Sequence, residues 1–471
     1  MTTPSAFASS PSRARLLALL VAAAFFMDNL DATVIVTALP AMARSFGVEA
    51  VDLNVGITTY VLTLAVFIPA SGWVAERFGH RRVFMAALLL FTLASVLCAS
   101  CQALWQFVLA RALQAVGGAM MVPVGRLAVL RNTEKRHLLG AIALITWPGL
   151  VAPVLGPPLG GFITSYASWH WIFLLNLPLG ALALACAWRW MPASVAEADH
   201  QPFDWLGFAY CALGCAGLVH GLERVGKLPA DLQGYVWLGV SAVVLWRLQR
   251  HLRKAAAPLL RLEALRTQTY AVTIGGGSLY RAMVSTAPFL LPLMFQLAFG
   301  LEPLVSGLLV LALFAGNIGM KPMTSAILKR LGFRTTLLGS IGVLAATTFA
   351  CAGMTVATPL WAIVPVLVIS GMARSMGFTA YHSLAFADVP APLMTSANTL
   401  FSMTQQLAFG LGIALAVILL RAAQGILGVG SAQPTAFHLA FVAVGLLTLA
   451  AAVDVWKLPA NAGAKVAGSA N

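Results

Sequence analysis

The sequence predicts an all-α integral membrane protein with 14 transmembrane helices, arranged as six, two and six with pseudo-two-fold related halves. Three observations predict it. Of 471 residues, 60% are hydrophobic and only 9% are charged, where a soluble domain carries about 25% charged residues. That is too little charge to cover a water-soluble globule. The apolar residues come in continuous runs of bilayer-spanning length, about 20 residues, with short breaks between them. Finally, one loop pattern recurs in both halves. Composition therefore excludes a soluble enzyme, a disordered chain and a disulfide-rich secreted module.

In order, the runs fall at 16–41, 51–71, 82–101, 103–130, 138–164, 169–191, 204–223, 232–250, 269–298, 303–326, 335–356, 359–385, 395–421 and 436–456. They are about twice the length of a barrel strand and do not alternate, so helices satisfy the backbone inside lipid. The first run follows a short polar, basic segment with Arg13 and Arg15. It is too long for a signal-peptide core and has no small-residue cleavage site, so it is expected to be retained as a span. With the N-terminus inside, 20 of the 29 Lys and Arg fall on the cytoplasmic side and four outside. Five lie within spans: Arg111, Arg126, Arg281, Lys321 and Arg374. This bias supports an even span count with both termini cytoplasmic. The net charge of +14 is then mostly topological, and no nucleic-acid partner is expected.

The recurring loop is Ser71 to Arg82 after the second run and Ser325 to Arg334 after the tenth. Both share a Ser, a Gly seven or eight residues on, an Arg two further, and a basic residue two before the Gly. Each copy follows the second span of a six-span set if spans seven and eight are set aside, and parallel six-span halves are a transporter pattern. The expected organisation is a cytoplasmic tail (1–15), an N-terminal bundle (16–192), a two-helix linker unit with a basic loop (193–268), a C-terminal bundle (269–457) and a second cytoplasmic tail (458–471). The six cysteines include a CxxC, Cys98 and Cys101, without a second pair at zinc spacing. They read as small apolar helix residues, and no metal site is expected.

Four segments carry further information. Gly72-Trp-Val-Ala-Glu76-Arg77-Phe-Gly79-His-Arg81-Arg82 places one carboxylate and several guanidiniums at a tight turn beside helix ends. Leu30-Asp31-Ala-Thr-Val-Ile-Val36-Thr-Ala-Leu-Pro40 puts a carboxylate deep in the first span, with Asp28 three residues away on about the same face. Such a group persists in lipid when it is protonated, paired or facing a wet cavity. Arg111-Ala-Leu-Gln114-Ala115-Val-Gly117-Gly118-Ala119 puts an always-charged guanidinium deep in the fourth span, where the first-span Asp pair is the nearest countercharge. Gly156-Pro157-Pro158-Leu159-Gly160-Gly161 in the fifth span combines helix-bending proline with residues small enough for close helix packing.

Together these segments resemble the major facilitator superfamily, and within it the fourteen-span drug:proton antiporters of the EmrB/QacA type, over nearly the whole chain. The corresponding patterns are G-x-x-x-D-R-x-G-x-R-R, L-D-x-T-x-x-N-x-A-L-P, R-x-x-Q-G-x-G-G-A and G-P-x-x-G-G. This chain departs from them at Glu76, Val36 and Ala115. The resemblance implies a gating role for Gly72, Glu76, Arg77, Gly79, Arg81 and Arg82. It implies proton coupling by Asp31, Asp28 and Arg111, and a seal between the halves at Gly156, Pro157, Gly160 and Gly161. The first and fourth spans of each half would line the pathway, which makes Arg281 and Arg374 candidate substrate-cavity residues, and Gln114, Asn317, Gln405 and Gln406 are further polar candidates within the spans.

The implied activity is proton-coupled export of small molecules or drugs across a bacterial inner membrane by alternating access. The proton motive force drives it with no cofactor, and a periplasmic adaptor or other efflux subunit is a candidate partner. No Walker A, HExxH or GxSxG pattern supports ATP-driven or hydrolytic chemistry. Two alternatives stand beside this reading. Three deep Arg against two Asp favour an anion, such as a carboxylate or a metal–carboxylate chelate, over a lipophilic cation. A transport-inactive sensor or assembly subunit would use the same framework.

Overall fold

Inside lipid, every backbone amide must find its partner within its own segment, and the chain is built accordingly. The computed structural model describes residues 11–132, 138–192, 202–226, 232–255, 258–390, 393–430, 432–459 and 462. Most of both tails, and Lys135, Arg136, Lys227 and Lys465 among the topological charges, lie outside the described residues. The helices are α1 (Pro11–Phe46), α2 (Asn54–Phe78), α3 (His80–Ser100), α4 (Leu104–Asn132), α5 (Leu138–Tyr166), α6 (His170–Leu174), α7 (Asn176–Trp190), α8 (Trp205–Val225) and α9 (Leu232–Leu252). They continue as α10 (Gln268–Ile274), α11 (Gly276–Leu293), α12 (Pro303–Ala352), α13 (Leu360–Ala387), α14 (Met394–Leu427), α15 (Pro434–Ala450) and α16 (Ala452–Trp456). No strand occurs among the described residues. Ten of their helices are long and apolar enough to cross a bilayer, which makes the chain an integral membrane protein.

One of those ten, the 50-residue α12, is two arms that break at Gly332 (φ 74°, ψ 169°). Its counterpart is Gly79 (φ 85°, ψ 135°) between α2 and α3. Each lies in the positive-φ region that glycine adopts without a Cβ penalty. The repeat seen in the sequence is therefore a repeated turn. Gly72 does not make that turn; it sits inside α2, and a Cβ there would meet nothing within 4 Å.

α1 packs on α4, α5 and α7, and α3 packs on α4 and α7, forming one bundle. α12 packs on α13 and α15, and α11 on α14, forming the other. The α8–α9 pair packs on itself and on α2 and α14, one helix from each bundle. The bundles touch through α5–α12, α2–α14 and α1–α11. One apolar core runs across both, with Leu39, Leu53 and Phe173 from the first and Phe289, Phe295 and Leu420 from the second. Near the Gly79 and Gly332 turns each bundle instead has a core of its own, around Phe84 and Phe91 or Phe333 and Leu337. The bundles are joined most broadly at one end, and beyond it a smaller core links Ala65 and Val66 of α2 to Leu400 and Phe401 of α14 beside the α8–α9 pair.

Polar contacts reinforce the joined end. Arg421 of α14 pairs with Asp52, just ahead of α2, and also donates to the Gly226 carbonyl at the end of α8 (3.0 Å). Gln296, in the π turn after α11, donates to the Thr37 carbonyl of α1 (3.1 Å). The small residues of α5 divide between two neighbours. Cβ atoms on Gly156 and Gly160 would run into Thr33, Val34 and Thr37 of α1, within the bundle. A Cβ on Gly161 would lie 2.5 Å from the Pro303 carbonyl and 2.8 Å from Leu304 Cα, across the bundle interface. From the other side, a Cβ on Gly307 would collide with the Pro157 carbonyl.

This division predicts different outcomes for two substitutions. Gly156→Leu overpacks a bundle and is expected to destabilise it by about 1–3 kcal/mol, read as a lower melting temperature in detergent. Gly161→Leu is expected to leave each bundle folded and melting near wild type, but to hold the joined end open. Cysteine labelling at that end checks it.

Candidate functional site

A guanidinium buried away from water needs a carboxylate and further acceptors to offset its lost hydration. Arg111 of α4 is 0% exposed, and its Nη1 has them, while Nε and Nη2 are buried with no hydrogen-bond partner among the described residues. Its Nη1 lies 2.5 Å from Asp31 Oδ2 on α1 and 2.5 Å from Gln114 Oε1 one turn along α4. Gln114 Nε2 donates to Asp31 Oδ1 (2.9 Å) and to Ser95 Oγ of α3 (2.8 Å). Asn176, at the start of α7, donates to the same Asp31 oxygen (2.8 Å) and to Ser95 (3.2 Å). Four helices of the N-terminal bundle thus meet on one ion pair. A second layer lies beside it. The Tyr60 hydroxyl of α2 donates to Asp28 Oδ1 (2.5 Å), and the Arg111 guanidinium carbon lies 4.1 Å from the Tyr60 ring centroid.

The spacing of the α4 motif follows from this arrangement. Arg111 and Gln114 belong to the network. A Cβ on Gly117 would lie 2.8 Å from the Phe91 nitrogen, so this position sets the approach of α3. A Cβ on Gly118 would lie 2.8 Å from Asp28 Oδ1 and 3.0 Å from the Tyr60 hydroxyl, so its bare backbone makes room for that pair.

A cavity of about 660 Å³ opens between the bundles, within the 300–1,000 Å³ usual for small-molecule sites. Asp28 and Thr33 of α1, Tyr60 of α2, Arg111 of α4 and Pro157 of α5 form one wall. The other carries Phe289 of α11, Asn317 and Lys321 of α12, Arg374 and His382 of α13, and Gln406 of α14. The two walls differ electrically. After residue 269 the chain has three acidic residues, Glu302, Asp388 and Asp454. They lie just before α12, at the end of α13 and in the short α16. Among the described residues Arg281, Lys321 and Arg374 form no ion pair. Lys321 is bonded to the Thr379 hydroxyl (3.2 Å).

The sequence-derived candidates divide as follows. Asp28, Arg111, Asn317, Arg374 and Gln406 line the cavity. Asp31 and Gln114 lie behind Arg111, outside the lining. Gln405 also lies outside it, one residue from Gln406. Arg281, 1% exposed, is not at the wall either; it sits 4.5 Å from the Phe401 ring centroid and bonds the Thr273 carbonyl (3.2 Å). The lining is broader than the first and fourth spans of each half, because α2, α5, the first arm of α12 and α14 all contribute. Glu76 makes no ion pair among the described residues. Arg77 lies over Trp73 (5.5 Å to the ring centroid), and Arg81 donates to the Trp188 carbonyl (2.5 Å). Sequence reasoning missed Tyr60, Ser95 and Asn176. A polar residue inside an apolar run was the available signal. Cys98 and Cys101 are buried free thiols, and no group of three or more His, Cys, Asp or Glu suited to a metal occurs among the described residues.

Two helical bundles that enclose a central cavity between them have the architecture of a membrane transporter. The sequence family described as Major Facilitator Superfamily matches residues 21–413, and the chain belongs to that superfamily. It is similar to proteins named multidrug resistance protein MdtD: 38% identical over 415 residues in Pectobacterium atrosepticum, covering 88% of each chain, and 39% over 409 residues in Escherichia coli, covering 85% of each. In fold it resembles the crystal structure of an auto-inhibited POT family peptide transporter. The TM-score is 0.68 at 14% identity, with 95% of this chain and 96% of that one covered. The protein is a transporter and not an enzyme.

The buried network makes a stability prediction. Asp31→Leu strands the Arg111 charge and is expected to cost about 3–5 kcal/mol, whereas the double variant Asp31→Leu/Arg111→Met regains most of that loss. Thermal unfolding of the purified protein in detergent measures both.

Proposed function

We propose that this protein is a proton-driven secondary exporter of small molecules in a bacterial inner membrane, working by alternating access with no cofactor. The observation that carries the reading is a carboxylate network, Asp31 ion-paired with Arg111 and Asp28 hydrogen-bonded by Tyr60, set against the wall of a cavity between the two bundles. A proton gained or lost there changes the charge balance where α1, α2 and α4 touch. One proton moving through 100 mV supplies about 2.3 kcal/mol, roughly fifty-fold in substrate concentration.

The same proposal takes fourteen spans as six, two and six, with bundles 16–192 and 269–457 flanking the linker unit 193–268. Counting the arms of α12 separately, and adding α5, α9 and α11 to the long apolar helices, gives that number. Positive-inside bias supports cytoplasmic termini and a cytoplasmic parted end. The loop Gly72 to Arg82 then lies at the cytoplasmic end, where it would hold or release the gap. A periplasmic adaptor or other efflux subunit is an optional partner at the joined end.

A second reading concerns the substrate. Among the described residues Lys321 and Arg374 face the cavity without a carboxylate partner, and this favours an anion, such as a carboxylate or its metal chelate, over a lipophilic cation. Everted membrane vesicles test both readings, with citrate and ethidium as probes. Addition of a transported probe is expected to release protons from the acidified lumen, and Arg111→Ala is expected to abolish that release. Arg374→Ala and Lys321→Ala are each expected to lower citrate movement about tenfold or more, the scale of one lost charge-assisted contact. Ethidium movement that persists while citrate never moves would discard the anionic reading. A transport-inactive sensor would move neither probe.

A further inference from the structure

Asp28 and Asp31 stand one turn apart on α1, but their surroundings differ. Asp31 is 2% exposed. It accepts from Arg111, Gln114 and Asn176, on α4 and α7, so both of its oxygens are committed. Asp28 lies on the cavity wall. It has no basic side chain within ion-pair distance among the described residues, and its one recorded hydrogen bond comes from the Tyr60 hydroxyl. The clearance over Gly118 holds that pair in place. The Tyr60 ring lies under Arg111, so the two layers share one aromatic plate.

We propose that Asp28, which lies outside the superfamily's first-helix motif, is the carboxylate that exchanges protons with the water of the cavity. Asp31 is the fixed counter-ion of Arg111, and Tyr60 is a positioning residue for Asp28. This rests on the proton-driven reading above. The step is a simple protonation: an oxygen of ionised Asp28 forms an O–H bond with one proton from cavity water, and the proton returns to water once the cavity faces the other side. Neutral Asp28 attracts the Tyr60 hydroxyl less than the carboxylate does. The ring is then freer beneath Arg111, and α2 is less firmly held to α1. Because α2 also packs on α14 of the other bundle, the change reaches the bundle interface.

The charged and titratable groups around Asp28 are few. Asp31 is on its own helix, Tyr60 on α2, and Arg111 on α4. Further along α4, Arg126 lies 6.0 Å from the Phe25 ring centroid. Across the cavity stand Lys321 of α12 and Arg374 and His382 of α13, while α5, α11 and α14 add no titratable group to the wall.

The test uses the full-length protein with its six cysteines replaced, reconstituted in lipid, and spin labels on cysteines at positions 49 and 426. These are exposed sites at the joined end of the two bundles. The distance distribution is recorded between about pH 5 and about pH 9, a range wide enough to titrate one carboxylate in either direction. In the otherwise unchanged protein the ratio of near to far distances is expected to change about tenfold across that range. Asp28→Asn is expected to hold one ratio at every pH. Tyr60→Phe is expected to keep the transition and move its midpoint toward higher pH, because the lost hydroxyl had favoured the ionised form. A merely structural role for Asp28 would lower the melting temperature and leave the pH response intact; an unchanged response in folded Asp28→Asn overturns the proposal. If Asp28→Asn does not fold, Asp28→Glu and Tyr60→Phe decide: midpoints identical to the parent's in both overturn it. A parent protein with no pH response at all overturns the proton-driven reading itself.

Discussion

One buried charge organises the N-terminal half. A guanidinium in the middle of a membrane protein remains ionised, so the fold has to supply its countercharge and acceptors. Around Arg111 that requirement draws in Asp31 from α1, Gln114 from α4, Ser95 from α3 and Asn176 from α7. Helices that share only apolar contacts can slide in lipid, because tails are as apolar as leucine. These four cannot do so without breaking a hydrogen bond. The network fixes their heights, and with them the position of Asp28 and Tyr60 at the cavity wall.

The second half is organised differently. Its deep cations have no interior carboxylate. Arg281 is sheltered instead by the Phe401 ring and the Thr273 carbonyl, whereas Arg374 has a buried guanidinium nitrogen, Nη1, with no hydrogen-bond partner among the described residues. One bundle therefore carries a neutralised, rigid polar core and the other an excess of positive charge. The cavity lies between them, and a proton or an anion arriving there meets unlike walls.

Contact between the bundles is most extensive at one end, and a second apolar core on the α8–α9 side joins Ala65 and Val66 of α2 to Phe401 and Met403 of α14. Small residues on α5 and α12 bring backbones together at Gly161 and Gly307, a single apolar core seals behind them, and the Asp52–Arg421 pair ties the edge to the α8–α9 unit. Towards the Gly79 and Gly332 turns each bundle keeps its own core, which leaves the gap. The α8–α9 pair touches a helix of each bundle and so spans their junction from the side.

Much of this was legible in the sequence, because the controlling physics is local. A bilayer demands long apolar helices, and the runs show them. A tight turn demands glycine, so the repeat pointed to Gly79 and Gly332. Arg111 lies deep in a bundle whose first span carries Asp28 and Asp31, so a pairing of Arg111 with that span could be anticipated. Sequence could not decide rotation. In helices apolar on every side, the pattern carries no amphipathic signal to say which face meets water. Gln405 and Gln406 are neighbours, yet only Gln406 reaches the cavity. Arg281 is on a lining helix but turns away from the cavity. Asp28 and Asp31 differ by only about 60° around α1, and packing against α4 and α7 commits one to a buried ion pair while the other faces the cavity. The sequence by itself determined the spans, the turns and the charges that had to be paired; only the tertiary structure decided which side of each helix, and so which of two aspartates, faces the water.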